Sequence, residues 1–260
     1  MNRILILIIV LMVLPPEQGY AQRRNIEPVP KQSFSLDAEY LPRGFVGDDI
    51  AITYKQMYSQ MAPKGEYESS DQYRVRIAKA VEKYKDRVLV FRFKPVHMPG
   101  LNDDYALYFP SYNADDQELT VDIPAKGPSD GKEVNISGAV TASRYTARNR
   151  FGASATITRY AGHLYDIVFE WKPGKIRAKI KIPPAQAKLV TDRLSMLFIG
   201  KPKIKKEGER MVESYEPMGL APTMDFPYED LTRSHQISMD IISIWIYDRV
   251  TMKVLAKVSQ

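Results

Sequence analysis

Apolar and charged residues alternate over residues 165–182, on both sides of Lys172-Pro173-Gly174-Lys175. Successive side chains of a strand point to opposite faces, so this pattern predicts half-buried strands. Pro followed by Gly marks a type II turn. A two-residue loop then predicts a hairpin in which Trp171 faces Ile176, Phe169 faces Ala178, Ile167 faces Ile180 and Tyr165 faces Ile182. The other face pairs Glu170 with Arg177, Val168 with Lys179 and Asp166 with Lys181. A slip of one residue would set Ile176, Ala178, Ile180 and Ile182 against charged positions, so the pattern specifies the register. The two opposite-charge pairs would contribute about 0.2–1 kcal/mol each.

Two helices precede this unit. Asp48 or Asp49 can cap a helix in which Ile50, Tyr54, Met57, Tyr58 and Met61 share one face, with Pro63-Lys64-Gly65 ending it. Ser69 and Gln72 have the spacing of a capping box, and Asp71 suits the positive helix end. That second helix should bury Tyr73, Ile77, Ala80, Val81 and Tyr84 and wet Arg74, Arg76, Lys79 and Lys83. Strands are expected at 88–93, 105–109 and 118–123. A long hairpin, 134–147 with 153–160, should turn at Asn149-Arg150-Phe151-Gly152, where Asn and Gly tolerate the left-handed conformation.

Pro183-Pro184 suits the first turn of a short helix running to about Arg193. Residues 196–199 read as a strand, and 237–247 with 253–258 as a closing hairpin looped at 248–252. Residues 207–234 contain Pro217, Pro222 and Pro227. So long an unstructured segment is unusual in a compact domain, so it is a functional loop or hides a strand near 211–215. The expected fold class is α+β, mainly antiparallel β-sheet with two or three short helices.

The N-terminus has the anatomy of a secretory signal. Met1-Asn2-Arg3 is basic, residues 4–14 are uninterruptedly apolar, and Gly19-Tyr20-Ala21 places small residues at the −3 and −1 positions before Gln22. Eleven helical residues reach about 16 Å, well short of a hydrocarbon core of about 30 Å, which disfavours a membrane anchor. The expectation is therefore residues 1–21 as signal peptide, 22–47 as an extended arm, and 48–260 as an α+β domain, with any subdomain boundary near 125–133. The exported product, periplasmic or secreted, would carry no transmembrane helix. The chain has no Cys, which excludes a disulfide scaffold, a thiolate metal site and a Cys nucleophile.

Several short motifs occur together: Lys64-Gly65-Glu66-Tyr67-Glu68-Ser69 followed by Tyr73 and Arg76; Tyr145 with Asn149-Arg150-Phe151-Gly152; and Trp245-Ile246-Tyr247-Asp248 ahead of Lys253-Val254-Leu255. In these the chain resembles, over most of residues 50–258, a group of exported bacterial proteins with a K-G-E-[FY]-E-[ST] helix start and an N-x-F-G turn. It departs from that pattern at Met252, where Gly is expected. The resemblance implies a bacterial envelope or secreted protein and brings no activity with it.

Catalytic signatures are absent. Ser154 in Gly152-Ala153-Ser154-Ala155-Thr156 lacks the second Gly of a nucleophile elbow and falls in a predicted strand. Ser234 and His235, adjacent in a strand, should face opposite ways and so are poorly placed as nucleophile and base. His97, His163 and His235 show no metal-ligand spacing, and ordinary structural or surface roles are expected for them. Asp103, Asp104, Asp115 and Asp116 lie in two oxygen-rich loops that can converge on calcium, although solvated turns explain them as well. No cofactor motif is present.

Charge is the remaining signal. The chain carries 37 Lys and Arg against 31 Asp and Glu, a net +6. Residues 172–206 hold eleven basic residues and only Asp192 as an acid; residues 207–232 hold seven acids and only Arg210 as a base. Lys175, Arg177, Lys179 and Lys181 alternate on one strand face, and Lys201, Lys203 and Lys205 alternate on another segment. Together they form a candidate surface for an envelope polyanion or an acidic protein partner, with nucleic acid disfavoured by export and by the lack of interleaved aromatics. The competing expectation is self-neutralisation, with the acidic segment 207–232 folded over the basic face. The functional expectation is an exported, non-enzymatic, envelope-associated binding or assembly protein. The alternative is an exported hydrolase with a pocket between helices and sheet, which a Ser–His contact would favour.

Overall fold

Two capped helices, two sheets and one short helix make up a computed structural model that describes residues 35–94, 110–123, 125, 131–171, 175–204, 210–217 and 221–259. The strand expected at 105–109, the turn residues 172–174, and His97, Asp103, Asp104 and Lys205 lie outside the described residues, as do the signal-like segment and 22–34 of the arm. All described residues belong to one unit, Gln32–Gln260.

Helix α1 (Ile50–Met61) starts where the Asp49 carboxylate accepts from the Ile52 N–H at 3.0 Å. Helix α2 (Ser70–Tyr84) starts with the full capping box: Ser69 Oγ accepts from Gln72 N at 3.1 Å, and Gln72 Oε1 accepts from Ser69 N at 2.8 Å. The predicted stripes are the ones that bury Tyr54, Met57 and Met61 from α1 and Ile77, Ala80 and Tyr84 from α2. Arg76, expected on the wet side, instead reaches across to α1. Its guanidinium binds both Glu68 oxygens at 2.8 Å and donates to the carbonyls of Gln60 at 2.9 Å and Ala62 at 3.2 Å. It thereby satisfies carbonyls that the end of α1 leaves without intrahelical partners.

The larger sheet has the order β1 (Leu89–Arg92), β7 (Leu194–Pro202), β9 (Tyr228–Asp248), β5 (Ser154–Glu170), β4 (Gly131–Arg148). Strands β8 (Val212–Tyr215) and β10 (Val254–Val258) also pair with β9. The smaller sheet is β2 (Pro110–Asn113), β3 (Glu118–Asp122), β6 (Arg177–Lys181), and α3 (Pro184–Thr191) follows β6. Pairing is antiparallel except between β5 and β9, which run parallel from Thr158↔Tyr228 to Val168↔Ser238. The fold is thus α+β and mostly antiparallel, with one mixed sheet. Strand β8 is the one anticipated near 211–215, and β9 begins nine residues before the expected position, so much of the apparent loop is strand.

The hairpin expected around Lys172-Pro173-Gly174-Lys175 does not form. Strand β5 pairs with β4 on one edge and β9 on the other, while β6 pairs with β3: Ala178 lies opposite Val121 and Ile180 opposite Leu119. None of the predicted cross-strand pairs, including Trp171 with Ile176, is made by paired strands. The inward positions nevertheless hold, with Trp171 at 2% and Ile176 at 1% exposure and Ala178, Ile180, Ile182, Ile167 and Phe169 all buried, whereas Asp166, expected on the outer face, is buried too. Alternation decides which face a strand buries. It does not decide the partner, and β4 outcompetes β6 by offering β5 a pairing from Gly131↔Glu170 to Arg148↔Ser154.

One core joins both helices to both sheets. A second, on the other face of β1, β7 and β9, contains Val90, Leu197, Ile199, Trp245 and Tyr247. Leu41 and Phe45, from the segment read as an arm, are buried in it. That segment is fastened by Leu41 N to Met252 O at 2.8 Å and Val254 N to Glu39 O at 2.8 Å. Met252 has φ +60°, the left-handed conformation that suits the Gly expected at that position.

Candidate functional site: a basic hairpin arm and a histidine pair

The turn at Asn149-Arg150-Phe151-Gly152 closes β4 onto β5 as the sequence predicts. Asn149 Oδ1 accepts from the N–H groups of Phe151 and Ala153, both at 3.0 Å, and Gly152 takes φ +91°. The paired strands continue far beyond the core. From Thr141 to Thr156 no residue is buried, so the outer hairpin is wet on both faces and forms an arm.

The arm's charge is one-signed. From Val134 to Tyr165 the chain has four Arg and no Asp or Glu. One of the four is neutralised by β9: Arg159 Nε contacts Glu229 Oε2 at 2.5 Å, and Tyr145 donates to the same carboxylate at 3.2 Å. Arg159 holds the Glu229 carboxyl below its usual range. The other three, Arg144, Arg148 and Arg150, make no ion pair among the described residues. Arg148 donates to the Gly152 carbonyl at 3.1 Å, and the Arg150 guanidinium lies 4.7 Å from the ring centre of Phe151, which is 80% exposed.

Register places Arg144 opposite Thr158, Thr146 opposite Thr156, and Arg148 opposite Ser154. One arm face therefore carries two arginines whose Cα atoms are about 14 Å apart, at about 3.4 Å per residue, among hydroxyl-bearing residues.

The predicted basic face is arranged differently. Arg177 binds Asp122 through two bonds of 2.6 and 2.9 Å, and Lys179 and Lys181 both reach Glu118, at 2.8 and 3.2 Å. These partners lower the pKa of Glu118 and of Asp122. Lys203 pairs with Glu170 at 3.3 Å and Lys201 with Asp86 at 3.8 Å; Lys175 is exposed. The acids on β6 come from β3. The described acids of the 207–232 segment do not cover it: Glu213 accepts from Tyr215, Glu216 binds Arg233 and Glu229 binds Arg159. Lys179 and Lys181 thus find their carboxylate on β3, where an acid of this segment was expected; Glu207 and Glu209 lie outside the described residues. Adjacent positions of β3 and β6 satisfy the lysines locally, and β8 and β9 draw the segment into the larger sheet.

The histidines form a cluster that sequence separation hid. Parallel pairing of β5 with β9 puts Tyr165 opposite His235 and His163 opposite Arg233. His163 Nδ1 then lies 2.8 Å from His235 Nε2, and Ser214 Oγ lies 3.2 Å from His235 Nδ1. Tyr54 of α1 and Tyr165 flank the His235 ring, at centre-to-centre distances of 4.7 and 5.0 Å. Burial, His163 and Arg233 lower the pKa of His235, which favours its neutral form. Burial likewise pushes the Tyr54 phenol up to about 12, with Ser214 acting in the opposite direction.

Ser234 faces the opposite way from His235, as expected of strand neighbours, and donates to Asp166. Asp166 is 3% exposed and also accepts from Asn135 Nδ2 at 2.8 Å. Predicted to meet Lys181, it lies in the wrong sheet to do so.

Ser154 is the first residue of β5 and is exposed. Asp115 and Asp116 sit in a turn closed by Asn113, whose Oδ1 accepts from their N–H groups at 3.0 and 3.3 Å. Among the described residues no three His, Asp or Glu side chains converge as a metal site. No described helix is long and apolar enough to cross a membrane. Comparisons with protein-family models, curated proteins and solved structures find no match to this chain.

Proposed function

We propose that this protein is an exported, non-enzymatic binding or assembly module of the cell envelope, and that the β4–β5 arm is the surface with which it engages a polyanion. The observation that carries the reading is the absence of any acid between Val134 and Tyr165, together with three arginines on the wet arm that have no acidic partner among the described residues. Guanidinium groups among Ser and Thr hydroxyls match phosphate or sulfate esters, which accept paired N–H bonds. The signal-like N-terminus supports export to a compartment where envelope polyanions are found.

The test compares elution from an anionic resin for wild type, Arg144→Gln/Arg148→Gln/Arg150→Gln, and a control losing Lys79, Lys188 and Lys253. The arm variant should elute at clearly lower salt than the control. Equal elution of the two removes the arm from the reading. N-terminal sequencing of the protein from its native host should find Gln22.

A hydrolase is the second reading, favoured by the Ser214–His235 contact. In that arrangement His163, rather than a carboxylate, stands on the far side of the base. Labelling by a fluorophosphonate, abolished in Ser214→Ala, would support it; a chain that stays unlabelled would end it.

A further inference from the structure

We propose that the β4–β5 arm docks on an anionic lipid bilayer, with Phe151 and Phe226 as apolar anchors in the interface and Arg144, Arg148 and Arg150 on the headgroup phosphates. This rests on the reading of the arm as a polyanion-binding surface and names the polyanion as a membrane surface. Seven phenylalanines lie among the described residues, and five of them are 5% exposed or less. The other two are Phe151, at 80% in the turn of the arm, and Phe226, at 71% just before β9.

The sheet brings these rings to the same end as the arginines. Strands β5 and β9 run parallel, Tyr228 stands opposite Thr158, and Thr158 N donates to the Pro227 carbonyl at 2.9 Å. The chain therefore enters β9 from the side on which the arm's turn lies, level with a position about 13 Å along β5 from its first residue. Arg144 is also opposite Thr158, on β4, so Arg144 and the half-exposed Tyr228 share one face.

Both phenylalanines sit on turns that satisfy their own backbone. Asn149 accepts from the N–H groups of Phe151, Gly152 and Ala153, all at 3.0 Å. Phe226 N donates to Thr223 Oγ at 3.0 Å, and the Phe226 carbonyl accepts from Thr223 N at 3.0 Å. Backbone groups that leave water unpaired are costly, and these carry their partners with them into the interface. The Arg150 guanidinium, stacked on Phe151, keeps its charge at headgroup level while the ring goes deeper.

The acids near this end are Asp225, Glu229 and Asp230. Glu229 is bound by Arg159, Asp230 accepts from Thr232 N at 2.8 Å, and Asp225 is exposed. The three arginines outweigh them once Glu229 is neutralised by Arg159. A soluble polyanion would engage the arginines and leave both phenyl rings in water. An anionic bilayer engages both, adding apolar burial to attraction of the headgroups.

The experiment is co-sedimentation of the purified protein with vesicles of equal parts phosphatidylglycerol and phosphatidylcholine, and of phosphatidylcholine alone. Wild type should bind the anionic vesicles more tightly, with an affinity that falls as salt rises. Phe151→Ser/Phe226→Ser should weaken that binding at least about tenfold, while its elution from an anionic resin and its circular dichroism spectrum stay as in wild type. Tyr67→Ser, which removes a ring 94% exposed ahead of α2, should leave vesicle binding as in wild type. Trp171 and Trp245 are buried, so the emission of Phe151→Trp should report its own site and shift to the blue on adding anionic vesicles. Vesicle binding unaltered in the double Phe variant overturns the proposal. So does a wild type whose resin retention depends on the arm arginines but which ignores anionic vesicles; a soluble polyanion is then the ligand. Retention that does not depend on those arginines overturns this proposal together with the reading on which it rests.

Discussion

Arg177 and Asp122, fifty-five residues apart, hold each other by two bonds of 2.6 and 2.9 Å across the β6–β3 pair. One strand away from the turn that seemed to dictate its pairing, β6 has its charge matched by a strand read from a different part of the chain. With Glu118 bound to Lys179 and Lys181, this pair makes β3 the mask of the basic strand. Glu118→Gln/Asp122→Asn should therefore raise salt-sensitive retention on an anionic resin more than the equal charge change Glu66→Gln/Asp225→Asn. Equal gains would mean that the β3 acids mask nothing in particular.

The register itself can be trapped covalently. Thr120 and Lys179 are opposite each other, and antiparallel partners have Cα atoms about 4.5–5.5 Å apart, within disulfide reach. Because the chain has no Cys, Thr120→Cys/Lys179→Cys is a clean background for oxidation. The pair should crosslink readily and Val168→Cys/Lys179→Cys should not. The reverse outcome would restore the β5–β6 hairpin.

Glu68 gives a pH signature. Its carboxyl is lowered to about 2, chiefly by the Arg76 hydrogen bonds. A carboxyl whose pKa is depressed by folding contributes stability above its unfolded pKa of about 4.3 and loses it as pH falls through the folded value. Glu68→Gln should thus unfold at a lower temperature than wild type at pH 7. The gap in Tm should close between about pH 4.5 and pH 2, as melts across that range would show. A gap independent of pH would assign the effect to packing.

Gly47 is constrained twice, by φ +77° and by the Val90 carbonyl, 2.6 Å from where a Cβ would stand. Gly47→Ala should cost about 1–3 kcal/mol in urea unfolding. At Gly65 the nearest atom to a Cβ would be 3.7 Å away, and Gly65→Ala should change stability by no more than about 0.5 kcal/mol. Comparable losses in the two variants would show that neither constraint matters.

What could be read from the residues was whatever short-range physics decides. The capping box at Ser69 and Gln72, the buried stripes of α1 and α2, the turn at Asn149 and the inward faces of 165–182 depend on spacing within a few residues, and all are found. Strand partnership depends on the edges that distant strands offer, so Arg177 was assigned to Glu170 when it binds Asp122. Strand β9 is legible in the sequence only where it is mostly apolar, over 237–247. Its first half, from Tyr228, is half-exposed and polar, and without it the parallel step that joins His163 to His235 was out of sight. The arm's acid-free stretch is legible in the sequence, beside the denser run of basic residues after Lys172. The denser run proved to have its counter-charges on β3.

Strand β9 lies in the middle of the larger sheet, yet it is made from residues 228–248. A nascent chain halted before Tyr228 has β5 without its parallel neighbour and β7 without its antiparallel one, two open apolar edges of the kind that recruit other chains. The two halves of the sheet are joined only once residues 228–248 have been made. Until then the polypeptide presents unpaired strand edges of the kind that chaperones cover, and the arrival of this one strand removes them.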